Sequence, residues 1–259
     1  MWMLKTLSLV NNYRSVKPDK TVHTGRTIMF KELQKVMNHG LDNDDYVEAI
    51  KQNVFNKATK SGVSYTSQFL KRLYDFDVTL PTFKAFKHFW HIADERDKPL
   101  LALIYAIGND YQLRNSISVI NNTEIGKKVT VESIESNIEN LYPNKYTTNT
   151  LRSMAQNIAS SWKQAGFITG KVKNIRTQPE INYLVVTFAL FLSYLNGLRG
   201  DFILKSDWVK ALSLDEKTIR SLAIEAGKRD LLQYQFAGNV TSITFKNLLN
   251  KIDINGFEN

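Results

Sequence analysis

The sequence predicts a mainly α-helical protein, a compact multi-helix bundle with winged-helix-like modules and short β-hairpins. Apolar residues recur at helical spacing through most of the chain, and only twelve glycines and five prolines interrupt it. Of its 259 residues, 43% are hydrophobic and 23% are charged, which is typical of a folded globular chain. This length suits one large helical domain or two to three smaller modules.

Residues 1–125 are predicted to form an N-terminal helical domain. Its first ten residues are apolar but lack the features of a signal peptide, so we expect them to belong to the fold. Periodicity, caps and breakers such as Gly40 and Pro81 predict helices in this part. These helices cover residues 29–38, 44–56, 64–74, 82–93, 99–107 and 110–120.

Residues 126–180 are predicted to form a winged-helix-like basic module. Thr130 caps a helix over residues 131–141, and a second helix follows over residues 151–165. Apolar residues at helical spacing should place one side of this second helix in the core, with Arg152, Gln156, Ser160 and Lys163 on the opposite side. The turn at Gly170 and the basic residues after it suggest a short hairpin, the wing of such a module.

Residues 181–259 are predicted to contain a central apolar helix and a second winged-helix-like module. The apolar run over residues 181–195 is shorter than the ~20 residues that a bilayer requires. We therefore favour a buried helix, apolar on all sides, over a membrane span. After it, Ser206 caps a short helix at residues 208–212, and Leu214 and Asp215 lead into a helix that runs to Gly227. Strands at residues 231–236 and 240–245 flank a Gly238 loop.

Positive charge is concentrated in the basic module. The formal net charge is +9, and residues 141–179 contribute six cations without a single Asp or Glu. Such a stretch is suited to phosphates, although a solvated basic face without a ligand remains an alternative. The predicted nucleic-acid-binding residues are Lys145, Arg152, Gln156, Lys163, Lys171, Lys173 and Arg176, with Arg220, Lys228 and Arg229 of the C-terminal module as secondary candidates.

No catalytic residue, metal ligand or cofactor is predicted, and we expect a non-enzymatic protein. A Gly-rich phosphate loop, a dinucleotide fingerprint, a nucleophile elbow and a nuclease carboxylate cluster are all absent from the sequence. His88 and His91 have a spacing that can serve a metal, but partly buried histidines beside a charged helix end are the favoured interpretation. The absence of cysteine excludes disulfides and indicates a reducing, cytoplasmic compartment.

Several stretches resemble one known family: FKELQKVMNHG and AIKQNVFNKATKSG, then TLRSMAQNIASSWKQAGFI, and finally LKSDWVKALSLDEKTIRSLAIEAGKRDLLQY with its hairpin. On these, covering most of residues 29–245, the chain resembles the BrxA family of bacterial BREX phage-exclusion systems, whose members have also been labelled putative inner-membrane proteins. The resemblance implies a compact helical protein with an accessory role in defence against foreign DNA. It also implies association with DNA or with other proteins of the system.

The sequence thus predicts a DNA-binding accessory protein of a BREX-type system that binds duplex DNA. In such a module Arg152 and Gln156 can contact guanine and adenine in the major groove, while wing lysines contact phosphates. Two alternatives remain: an interaction scaffold that binds other proteins of the same system, or an RNA-binding protein that uses the same surface.

Overall fold

The structure of the protein is a computed structural model that describes residues 21–41, 43–171, 173–238 and 240–257. Helices dominate these residues, with two short antiparallel hairpins, as the sequence predicts. The first ten residues, expected within the fold, lie outside the described part. The helices are α1 (Phe30–Gly40), α2 (Tyr46–Lys51), α3 (Lys60–Tyr74), α4 (Pro81–Ile92), α5 (Lys98–Asn109), α6 (Tyr111–Asn115), α7 (Ile117–Asn122), α8 (Val131–Leu141), α9 (Thr148–Gln164), α10 (Tyr183–Leu195), α11 (Asp201–Leu204), α12 (Asp207–Lys210), α13 (Glu216–Lys228) and α14 (Lys246–Lys251).

Both hairpins lie where the sequence predicts them. Strands β1 (Ile168–Thr169) and β2 (Ile175–Arg176) form the first, with Thr169 opposite Ile175. Strands β3 (Gln233–Ala237) and β4 (Val240–Thr244) form the second, with Ala237 opposite Val240. Each hairpin follows a long helix, so the order helix, helix, hairpin occurs twice in the chain.

Side-chain caps explain where the helices begin. The Thr59 hydroxyl accepts a hydrogen bond from the Gly62 amide, and the Thr147 hydroxyl accepts one from the Thr150 amide. As a result α3 and α9 start three or four residues earlier than predicted. The predicted helix over residues 110–120 is instead two short helices, because a turn at Ser116 separates α6 from α7.

Helix α10 occupies the centre of the fold. Every residue from Leu184 to Leu195 is buried, and the helix packs against α4, α5, α12 and α13. Asn182 caps it through hydrogen bonds from the amides of Leu184 and Val185. The predicted central helix, apolar on all sides, is therefore present. Within the described residues, no helix has both the length and the apolar character needed to cross a membrane.

One continuous hydrophobic cluster contains buried residues from all three predicted parts of the chain. Within it, the Phe86 ring lies 4.6 Å from that of Tyr105 and 6.0 Å from that of Phe188, centroid to centroid. Trp162 on α9 and Leu212 after α12 belong to the same cluster. The division into three parts stays a prediction, but the parts share a core.

Candidate nucleic-acid interface

The basic module has the strand and helix order of a winged helix. Lys128 forms a single antiparallel bridge with Ile175, so the chain before α8 runs beside β2. The Val129 amide donates to the Asn174 carbonyl and the Arg176 amide donates to the Lys127 carbonyl, each at 2.8 Å. Helices α8 and α9 pack against each other and lie between this segment and β1 in chain order. Such an arrangement presents α9 as the second helix of the pair, the one that reads DNA in winged-helix proteins.

Helix α9 divides into a core side and a solvent side, as predicted. Met154, Ala155, Ile158 and Trp162 are buried, and the Trp162 indole donates to the Ser116 hydroxyl at 2.7 Å. On the opposite side Arg152 and Gln156 are exposed, while Ser160 and Lys163 are half-buried. Helical spacing therefore places Arg152, Gln156 and Lys163 on one face.

The wing carries two exposed lysines. Lys171 and Lys173 lie on either side of residue 172, which is outside the described part, and both are exposed. The Lys163 ammonium donates to the Gly170 carbonyl at 2.8 Å, which ties the end of α9 to the wing turn. Gly170 has a φ of +94°, and an added Cβ would lie 2.2 Å from the Lys173 carbonyl oxygen. Only glycine suits this turn.

Three tyrosine rings surround the ammonium of Lys145. Its ammonium lies 4.8 Å from the Tyr142 ring centroid, 5.3 Å from that of Tyr111 and 5.7 Å from that of Tyr146. The hydroxyls of Tyr111 and Tyr146 hydrogen-bond to each other, and burial raises the pKa of Tyr111. Lys145 remains exposed beside α9, with its position set by these rings.

The assignment of Arg176 to the nucleic-acid surface is wrong. Its side chain is 2% exposed, and burial lowers the pKa of its guanidinium. The guanidinium donates to the carbonyls of Ile120, Phe167 and Thr177, to the Gln178 amide oxygen and to the Ser213 hydroxyl. A group enclosed in this way has no surface to offer a phosphate. The sequence shows that Arg176 carries a charge, but it does not show that the side chain points into the core.

The secondary candidates are mostly neutralised by acidic neighbours. Arg220 is half-buried and pairs with Asp201 at 3.1 Å and Glu216 at 2.7 Å. Arg229 is exposed but pairs with Glu225 at 3.2 Å and lies 4.2 Å from the Tyr183 ring centroid. Lys228 is exposed at the end of α13. Because two of these three cations have carboxylate partners, much of the positive charge of this module is offset locally.

The sequence prediction did not include two charge features of the basic module. Lys127 and Lys128 are exposed beside β2, and these two adjacent lysines could have been recognised in the sequence as further cations of the module. Helix α8, which ends at the edge of the acid-free stretch, carries three carboxylates that are exposed or half-buried, Glu132, Glu135 and Glu139. The module therefore has cations on α9 and its strands and anions on α8.

A buried Ser161–His23–Asp110 chain has the atom order of a hydrolytic triad. His23 Nε2 lies 2.9 Å from Ser161 Oγ, and Nδ1 lies 2.9 Å from Asp110 Oδ2. All three side chains are at most 1% exposed. The Ser161 hydroxyl donates to the Asn157 carbonyl and accepts from the Ile28 amide. The amides of Val22 and Ile28 donate to Asp110 and Ser161, so the arrangement anchors the chain before α1.

The histidine pair lies at a cleft of about 530 Å³ between α4 and α14. His91 is exposed and His88 is half-buried, with its Nε2 buried and lacking a hydrogen-bond partner among the described residues. Burial, followed by the nearby Lys251 and His91, lowers the pKa of His88 to about 4. Within the described part of the chain, no group of three or more His, Asp or Glu can hold a metal ion.

Comparison of the chain with protein-family models, curated proteins and solved structures finds no match.

Proposed function

We propose that this protein is a non-enzymatic, cytoplasmic accessory protein of a BREX-type phage-defence system that binds duplex DNA through α9 and the wing. The observation that carries the proposal is the exposed pair Arg152 and Gln156 on the solvent side of α9, next to a hairpin with Lys171 and Lys173. The resemblance to BrxA supports the biological setting.

The residue types on this surface suit DNA in two ways. Arg152 can donate two hydrogen bonds to guanine, and Gln156 can pair with adenine through its amide. The lysines of the wing, with Lys127 and Lys128 of the adjoining segment, provide point charges for the phosphate backbone. We propose that the carboxylates of α8 face away from the bound duplex, because they would repel phosphates.

The test is a salt titration of duplex binding by fluorescence anisotropy. Arg152→Glu, Lys171→Glu and Lys173→Glu together should abolish binding at physiological salt, since three contacts to DNA become repulsive. For the native chain, about four to six neutralised phosphates should give a log–log slope of about −0.9 per contact. Lys205→Glu, Lys217→Glu and Lys246→Glu, an equal change of charge on exposed residues of the C-terminal module, is the matched control.

Equal loss of affinity in both triple variants would mean that overall charge, not this site, governs binding, and would overturn the site. Unchanged binding in the first variant would overturn it too. Affinity for a structured RNA duplex is measured at the same salt concentration, because charge alone does not distinguish DNA from RNA.

An interaction scaffold is the second candidate, favoured by an apolar feature of the C-terminal module. Phe202 on α11 is 72% exposed and Val240 on β4 is 70% exposed. Large exposed apolar side chains commonly mark protein contacts. Nuclease-resistant co-purification with other proteins of the system, lost in Phe202→Ser with Val240→Ser, would support this function over DNA binding.

A further inference from the structure

An aromatic pair on α3, the exposed Tyr65 and the half-buried Phe69, is flanked by two arginines. The rings of Tyr65 and Phe69 are nearly parallel, at 19°, with centroids 6.4 Å apart. The guanidinium carbons of Arg26 and Arg72 each lie 5.9 Å from the Phe69 centroid. Tyr65 is 55% exposed, and both arginines are exposed. We call these four residues the Tyr65 platform.

The stretch of chain that contains Tyr65 and Phe69 is rich in cations. Residues 49–74 contain five cations and no Asp or Glu, although Lys51 and Lys57 pair with Glu48 and Glu32. Neither Arg26 nor Arg72 takes part in a salt bridge with a described residue. Their charge is therefore available to a phosphate while their planar groups stay beside an aromatic ring.

One segment, residues 21–30, has hydrogen bonds to both α9 and α3. On the α9 side, the Asn157 amide donates to the His23 carbonyl at 2.9 Å, and the Ile28 amide donates to the Ser161 hydroxyl at 3.0 Å. On the α3 side, the Tyr74 hydroxyl donates to the Ile28 carbonyl at 2.6 Å. Arg26 belongs to this segment, and its guanidinium lies beside Phe69 of α3.

We propose that the Tyr65 platform binds an unpaired nucleobase of a single strand, which stacks on Tyr65 while Arg26 and Arg72 contact the adjoining phosphates. Aromatic rings bind bases of any identity by stacking, and cations along the strand hold its backbone. The inference deepens the proposed function, nucleic-acid binding, on which it rests, by adding a contact for an unpaired strand. The unpaired base can come from DNA or from RNA, since both offer the same ring face.

The test measures the affinity of the full chain for three short strands of equal length: oligothymidylate, oligouridylate and a DNA strand without bases. The native chain should bind oligothymidylate more tightly than the abasic strand, which has the same charge. Tyr65→Ala should weaken binding of oligothymidylate by about 5- to 100-fold, the effect of one lost stacked base. Tyr65→Phe keeps a ring and should retain the affinity.

Phe236→Ala is the matched control, because Phe236 is also 55% exposed and has Arg220 4.7 Å from its ring centroid. It should leave binding of every strand unchanged. Equal binding of the abasic strand, or an unchanged affinity in Tyr65→Ala, would overturn the proposal. Binding of oligothymidylate or oligouridylate that depends on Tyr65 supports the proposal. The strand with the higher affinity shows whether the base comes from DNA or from RNA.

A blunt duplex separates this proposal from the proposed function. Tyr65-dependent binding of oligothymidylate without binding of the blunt duplex would retain the Tyr65 platform and contradict duplex binding by α9. Binding of the blunt duplex without any Tyr65-dependent preference for the single strand would overturn the Tyr65 platform alone.

Discussion

At the scale of single residues, buried polar side chains position the segment that precedes α1. The imidazole of His23 links Asp110 to Ser161 within the core, and Thr21 donates to the same carboxylate at 2.8 Å. Burial alone would raise the pKa of Asp110, but the nearby His23 and the amide of Leu113 hold it below its ordinary value. Residues far apart in sequence are thus joined by a satisfied polar network.

Ser161→Ala should lower the free energy of unfolding by about 1–3 kcal/mol, because the Ile28 amide and His23 Nε2 lose their partner inside the core. Urea unfolding followed by tryptophan fluorescence measures this. Ser160→Ala is the control, since Ser160 is the half-buried neighbour on the solvent side of α9. Equal midpoints for the two variants would contradict a stabilising role of the network.

At the scale of elements, the basic hairpin owes its shape to a backbone conformation as well as to its charges. The turn requires positive φ at Gly170, and Lys163 is hydrogen-bonded to its carbonyl. The sequence indicates the turn through glycine, and it indicates α9 through apolar spacing. It does not reveal the strand pairing of Lys128 with Ile175, because that contact joins positions on opposite sides of two helices.

Gly170→Ala should displace the wing, because its methyl group would meet the Lys173 carbonyl oxygen. We expect the salt dependence of duplex binding to fall by about one to two phosphate contacts. Gly126→Ala is the matched control: its φ is +86°, but nothing lies within 4 Å of an added Cβ. Both variants should lose a similar ~1 kcal/mol of stability from backbone strain, and only the first should lose DNA contacts. An unchanged slope for Gly170→Ala would contradict a role of the wing lysines.

At the scale of the whole molecule, Arg176 joins all three predicted parts of the chain. Its guanidinium contacts Ile120 in the first part, Phe167 in the second and Ser213 in the third. Carbonyl and hydroxyl oxygens surround the buried charge, which is costly to bury unless its donors are satisfied. These hydrogen bonds connect the parts in addition to the shared hydrophobic core.

Arg176→Met should reduce the free energy of unfolding by about 2–4 kcal/mol, because several buried acceptors lose their donor at once. Lys173→Met, which removes an exposed cation from the same hairpin, should change stability by less than about 0.5 kcal/mol. Far-UV circular dichroism during thermal unfolding distinguishes them. A melting temperature for Arg176→Met equal to that of Lys173→Met would show that this side chain does not stabilise the contact between the parts.

By itself the sequence determined the helical class, the central apolar helix over residues 181–195, both hairpins and the solvent side of α9. These features follow from periodicity, caps and turn residues, which act over a few neighbouring positions. Only the tertiary structure decided that Arg176 points inward, that Arg220 is paired, and that Arg26 reaches Phe69 on α3. The direction and partners of a cation depend on contacts between distant segments, and these are set by packing rather than by local sequence.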